Sequence, residues 1–98
     1  MATIHWAYIQ HDFSGTNVVR ASDSAISVLT VEPGHDIVTF PSSVDGCTAT
    51  ICNSMGRITA IPGDQTDLAA NQVRVTTFFE TAAYSARDFT IVSYTMTE

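Results

Sequence analysis

The sequence predicts an all-β fold: a single small sandwich of jelly-roll or related topology, built from about seven or eight short strands. Three observations carry that expectation. Turn signals recur every 8 to 12 residues or so, among them Pro33-Gly34, Asp45-Gly46 and Pro62-Gly63. The runs between them are rich in β-branched and aromatic residues. No window longer than one turn carries apolar residues at the i, i+3, i+4 spacing of an amphipathic helix.

The first strand is expected over Ile4–Gln10, where Ile4, Trp6 and Tyr8 fall on one face and His5, Ala7 and Ile9 on the other. Asp12 to Asn17 is a turn cluster, and Val18–Ala21 a short extended run. Ala25–Val31 sets Ile26 and Val28 against Leu29 and Val31, with a face switch that suggests a bulge or burial on both sides. Strands follow at Asp36–Phe40, Cys47–Cys52 and Arg57–Ile61, the last entered through Ser54-Met55-Gly56. Pro62 to Asn71 is the longest loop. Gln72–Phe79 alternates most regularly, with Val73, Val75, Thr77 and Phe79 facing one way and Arg74, Thr76 and Phe78 the other, which leaves Phe78 apolar on the wet face. Glu80 to Arg87 reads as one helical turn or a loop, and Asp88–Thr95 closes the sheet system. The chain contains no internal repeat, linker or low-complexity tract, so residues 1–98 form one domain.

Composition narrows the function classes. Ninety-eight residues bury roughly 60 to 65% of the surface of the unfolded chain, a thin core for a domain with two cysteines. Charged residues are 14% of the chain, about half the usual share, so Ser, Thr, Asn and Gln must cover much of the surface. Ten acids stand against four arginines and no lysine, for a net charge of −6. That balance argues against nucleic acid and against anionic membranes, since neither finds a basic patch. No signal peptide or transmembrane segment is visible. A virion or extracellular appendage is the expected location if the chain is part of a particle, and the cytoplasm otherwise.

Candidate chemistry is sparse. Cys47 and Cys52, if on one strand, point to opposite faces about 16 Å apart, so they are expected to be reduced and buried. They lack a second Cys or His pair at zinc-finger spacing, and no metal or cofactor is expected. His11-Asp12 and His35-Asp36 are adjacent imidazole and acid pairs, but strand parity turns each His away from its own Asp, and no Gly-x-Ser-x-Gly elbow is present. His35 then reads as a turn residue and His11 as a polar strand end. Asp64 and Asp67 offer a calcium loop without EF-hand spacing. Trp6, Tyr8, Phe78, Phe79 and Tyr94 suit either a sugar-binding platform or a subunit interface. Of these, Trp6, Phe78 and Tyr94 are the candidate interface or ligand residues.

Several stretches together resemble a known module: Trp6-Ala7-x-x-x-x-Asp12, Val18-x-Arg20-Ala21-Ser22, Gly34-x-x-x-Val38-x-Phe40 leading to Val44-x-Gly46-Cys47, Asn71-x-Val73-Arg74-Val75-x-Thr77, and Asp88-Phe89-x-Ile91-Val92. They look like the small all-β domain of many uncharacterised actinobacterial proteins, similar to modules at the ends of phage tail-fibre and collagen-like chains. The Gly-x-x-x-Val-x-Phe strand is reminiscent of trimeric jelly-roll heads. Two departures stand out: Asp12-Phe13-Ser14-Gly15 replaces a DGT-like turn, and the last strand ends Tyr94-Thr95-Met96 where relatives often carry Cys. The resemblance implies a non-enzymatic structural or receptor-binding module that assembles into a homo-oligomer, a trimer, with a cell-surface glycan or protein as its further partner. The rival expectations are a monomeric carbohydrate-binding module and a small hydrolase.

Overall fold

The computed structural model describes residues 2–12, 15–52, 55–63, 68–79 and 84–96. Eight strands form two four-stranded antiparallel sheets: β1 (Ala2–Asp12), β2 (Gly15–Ala21), β3 (Ser27–Glu32), β4 (His35–Thr39), β5 (Gly46–Ile51), β6 (Arg57–Pro62), β7 (Gln72–Phe78) and β8 (Phe89–Met96). The first sheet runs β2-β1-β8-β5 and the second β3-β4-β7-β6. Hairpins join β1 to β2, β3 to β4 and β6 to β7, while the chain crosses between sheets after β2, β4, β5 and β7. Neighbours such as β1 and β8 or β4 and β7 are distant in sequence, which excludes an up-and-down connectivity.

The core lies between the sheets and is filled by alternate residues of each strand. Ala7 and Ile9 of β1, Val38 of β4, Val73 and Val75 of β7, and Phe89 and Ile91 of β8 are fully buried, with Phe40 and Val44 at the crossover after β4. The alternation expected for β7 is realised through Phe78, with Val73, Val75 and Thr77 inward and Arg74, Thr76 and Phe78 outward, but the strand ends there and Phe79, expected on the inward face, is exposed. Ile26, just before β3, and Val28 within it reach the core while Leu29 and Val31 face out, and the register shifts between Thr30 and Glu32. A second bulge lies in β2, where Val18 pairs with Ile9 and Arg20 with Tyr8, leaving Val19 over. Pro33 and Gly34 make the β3–β4 turn, and Gly34 adopts φ 83°, the positive value that the third position of a type II turn demands.

The structure corrects several boundaries. β1 and β2 extend almost to the chain reversal, so the expected six-residue turn from Asp12 to Asn17 shrinks, because cross-strand pairs such as His11 with Thr16 continue the ladder. Pro62 belongs to β6, at its end and on an edge strand, where a missing N–H is tolerated. Residues 84–87 form no helical turn; Tyr84 bridges Phe78 instead, and the rest of the Glu80 to Arg87 segment lies outside the described residues. Asp64 and Asp67, the proposed calcium loop, also lie outside them. Cys47 and Cys52 are free and half-buried rather than buried, with Cys47 packed against the core. Among the described residues no helix is long and apolar enough to cross a membrane.

Candidate functional site

Two places concentrate side chains beyond what the sandwich needs: a buried polar layer at one end and an apolar outer face at the other. The polar layer follows from register. His11 sits opposite Thr16 in the first sheet, and Thr30 opposite Asp36 in the second, all four on the inward parity of their strands. The two pairs therefore meet across the interior. His11 Nε2–H donates to Asp36 Oδ2 at 2.8 Å, and Thr30 donates its hydroxyl to Asp36 Oδ1 at 2.6 Å. Thr30 has then spent its one proton, so its oxygen accepts from the Thr16 hydroxyl. Asp88, just before β8, accepts the His11 backbone N–H at 2.8 Å and lies 3.7 Å from His11 Nδ1.

Asp36 is fully buried, and its carboxylate is matched by two donors as a buried charge requires. The His11 ionisation is raised, chiefly by the hydrogen bond to Asp36; burial opposes this, and the charges of Asp36 and Asp88 add to it. Thus His11 is no solvated strand end. Parity does separate it from its neighbour Asp12, but the fold supplies the aspartate of the other adjacent pair. His35 is half-buried beside Arg74 and Glu32 on the outer face of the second sheet.

The order of groups decides the chemistry. Thr30 reaches Asp36 rather than His11, so the hydroxyl and the imidazole share a carboxylate and no hydroxyl in this cluster is placed to give its proton to the ring. Among the described residues no group of three His, Cys, Asp or Glu side chains is arranged to hold a metal ion. Cys47, whose thiol is pushed above its ordinary value by burial, donates weakly to the Ala60 carbonyl and stays a protonated, small apolar side chain.

The second place is the outer face of the first sheet. Ile4 pairs with Tyr94, Trp6 with Val92 and Ala2 with Met96 across β1 and β8, so these side chains share one side. Ile4 is 61%, Trp6 41%, Tyr94 42% and Met96 59% exposed, high values for large apolar groups set side by side. Along the outward positions of β1 from Ala2 to Gln10 and of β8 from Thr90 to Met96, no residue is charged. Tyr94 lies over Gly46 of β5: a Cβ there would collide with the phenol ring. The ring thus packs against bare backbone and stays partly open to solvent.

Of the three residues singled out from sequence, the fold brings Trp6 and Tyr94 together and separates Phe78. Phe78 is on the outer face of the opposite sheet, half-buried, with Tyr84 packed edge-on at 5.3 Å between ring centroids and the Arg57 guanidinium 5.8 Å above its ring. Its wet face is covered by the chain itself. Arg57 and Phe78, with Ile58 and Thr59, line an open hollow of about 540 Å³. The His11–Asp36 pair escaped the sequence reading, although a signal was present. The inward series Ala7, Ile9, His11; Ile26, Val28, Thr30; and Phe40, Val38, Asp36 each turn polar at one end, which marks a polar layer once the strands are paired.

Comparison of the chain with protein-family models, with curated proteins and with solved structures finds no match.

Proposed function

We propose that this chain is a non-enzymatic structural or receptor-binding module that assembles into a homo-oligomer of three copies, of the tail-fibre or surface-appendage type that its sequence resembles. The observation that carries the reading is the uncharged apolar stripe of Ile4, Trp6, Tyr94 and Met96 on the outer face of β1 and β8. Its occupant is a second copy of the same chain. Each copy carries a net charge of −6, so two copies repel wherever their acids meet. The described acids outside the core sit in turns and at strand ends, such as Asp12, Asp23, Glu32 and Asp45; of these Asp45 is bonded to the stripe, its carboxylate accepting the Met96 backbone N–H at 2.6 Å, while the outward side chains of β1 from Ala2 to Gln10 and of β8 from Thr90 to Met96 carry no charge. Covering one more aromatic there contributes on the order of 2 kcal/mol before ordering costs, which suits a domain with a thin core.

A second reading is favoured by one detail. Tyr94 against Gly46, with Trp6 diagonal to it across the strand pair, sets two exposed aromatic side chains on one face, as a site that stacks a sugar ring requires. Light scattering after size exclusion, at tens of micromolar, separates the two. Self-assembly requires a multiple of the 10.6 kDa chain mass, and Ile4→Asp and Tyr94→Asp, both on exposed positions that leave the core intact, must move it toward one copy. A monodisperse single copy of the unaltered chain refutes assembly and leaves the aromatic pair as a glycan platform, testable on a glycan array with Trp6→Ala as control.

A further inference from the structure

We propose that the His11 cluster is a pH-operated clasp: a doubly protonated imidazole on the first sheet faces Asp36 of the second sheet and Asp88 of the segment that leads into β8, and loss of its proton loosens the β1–β2 end of the sandwich. The geometry rests on what each ring nitrogen faces. Nε2 is 2.8 Å from Asp36 Oδ2, and Nδ1 is buried with no hydrogen-bond partner among the described residues and Asp88 Oδ1 at 3.7 Å. An aspartate carboxylate oxygen can only accept. A neutral imidazole has one N–H; given to Asp36, it leaves the Nδ1 lone pair directed at the Asp88 carboxylate. The imidazolium alone suits both.

The charged groups that face the ring are Asp36 from β4 and Asp88 from the segment before β8. β2 and β3 contribute the hydroxyls of Thr16 and Thr30, and Phe89 of β8 its ring, 6.2 Å away between centroids. Asp12 follows His11 in the chain but accepts from Asn17 Nδ2 at 3.3 Å. Deprotonation therefore leaves two carboxylates, one fully buried, without a cation between them.

The same network is what joins the sheets here. His11 and Thr16 belong to the first, Thr30 and Asp36 to the second, and they lie where β1 turns into β2. Because the folded-state ionisation of His11 is raised above 6.5, the stabilisation is complete below that pH and is lost as pH climbs through the higher folded value.

Amide hydrogen exchange on the intact chain between about pH 5.5 and 8.5 tests the clasp. After correction for intrinsic rates, protection at His11, Thr16 and Thr30 is expected to fall about tenfold or more relative to Val75 in the core. In His11→Gln, which keeps a donor for Asp36 but does not titrate, that fall disappears. In Asp88→Asn, which removes one of the two anions, its midpoint moves to lower pH, so the test survives if His11→Gln does not fold. Uniform loss of protection, no loss, the same fall in His11→Gln, or an unmoved midpoint in Asp88→Asn overturns the proposal.

Discussion

Replacing Asp36 with Ala removes the centre of the polar layer, and the loss is large enough to measure in a single melt. The carboxylate is fully buried and accepts two short bonds, from His11 at 2.8 Å and from Thr30 at 2.6 Å. Hydrogen bonds to a charged group contribute about 1.5 to 3 kcal/mol each, and the substitution also strands an imidazole and a hydroxyl in a dry interior, so the expected cost is about 3 to 5 kcal/mol. A domain of this length is stable by about 5 to 15 kcal/mol in total. At roughly 4 to 8 °C per kcal/mol, the melting temperature should drop by about 12 to 40 °C in circular dichroism at pH 6. Thr30→Val removes the bond to Asp36 and the acceptor for Thr16 but leaves the ion pair standing, so it should cost about 1 to 3 kcal/mol. Combining Asp36→Ala with His11→Ala should cost about 2 kcal/mol less than the sum of the two changes, because each single variant already breaks the pair. A fall of less than about 5 °C for Asp36→Ala, or strict additivity in the double variant, would refute the claim that this network holds the two sheets together.

Three further outcomes follow from single atoms. Thr77 is fully buried and its hydroxyl has no partner among the described residues, so Thr77→Val should be neutral or raise stability by about 1 kcal/mol, read as an unchanged or higher urea midpoint. Gly34→Ala should destabilise by about 3 kcal/mol in the same assay, because φ 83° is unfavourable for alanine and its Cβ would stand 2.6 Å from the Ser85 nitrogen and 2.8 Å from the Thr77 oxygen. Gly46→Ala should change the melting temperature by less than about 5 °C, since the Tyr94 ring that it displaces can swing into solvent, yet it should weaken self-association in light scattering by disturbing the stripe.

The sandwich was legible because it rests on local signals. Alternation picks out the inward set of β7, and Pro33-Gly34 fixes its turn through the backbone alone. Strand ends were less legible: β1 and β2 lengthen toward each other because cross-strand partners continue the ladder through Asp12 and Gly15, and that partnership is not a property of either segment. The candidate sites divide the same way. Trp6 and Tyr94 stand out by residue type, but only the β1–β8 register makes them neighbours, 88 positions apart in the chain. Phe78 looked equivalent to them and is not, since Tyr84 folds back over it from outside any strand. The sequence sets His11 beside Asp12 and Asp36 beside His35, neither of them the partner in the fold, because adjacency in sequence is a poor guide to contact when neighbours on a strand face opposite ways.

The stripe and the clasp share β1, which makes their independence a physical question. Ile4 and His11 are seven residues apart on one strand, about 23 Å at the rise of extended chain, and of opposite parity, one outward and one inward. Between them Ala7 and Ile9 are fully buried against a core drawn from both sheets, and the β1–β8 ladder runs unbroken from Ala2 to Ile9. A disturbance at His11 must therefore cross close-packed residues, or unzip β1 from β8, to reach Ile4. The ladder stops at Ile9, one turn of alternation before His11, so opening the clasp end breaks contacts with β2, β3 and β4 without breaking that pairing. His11→Gln is accordingly expected to flatten the pH dependence of protection at Thr16 and Thr30 while leaving the mass measured by light scattering unchanged. Tyr94→Asp is expected to do the reverse. If His11→Gln alters the oligomer as well, β1 transmits between the two ends as a rigid rod, and assembly would itself respond to pH.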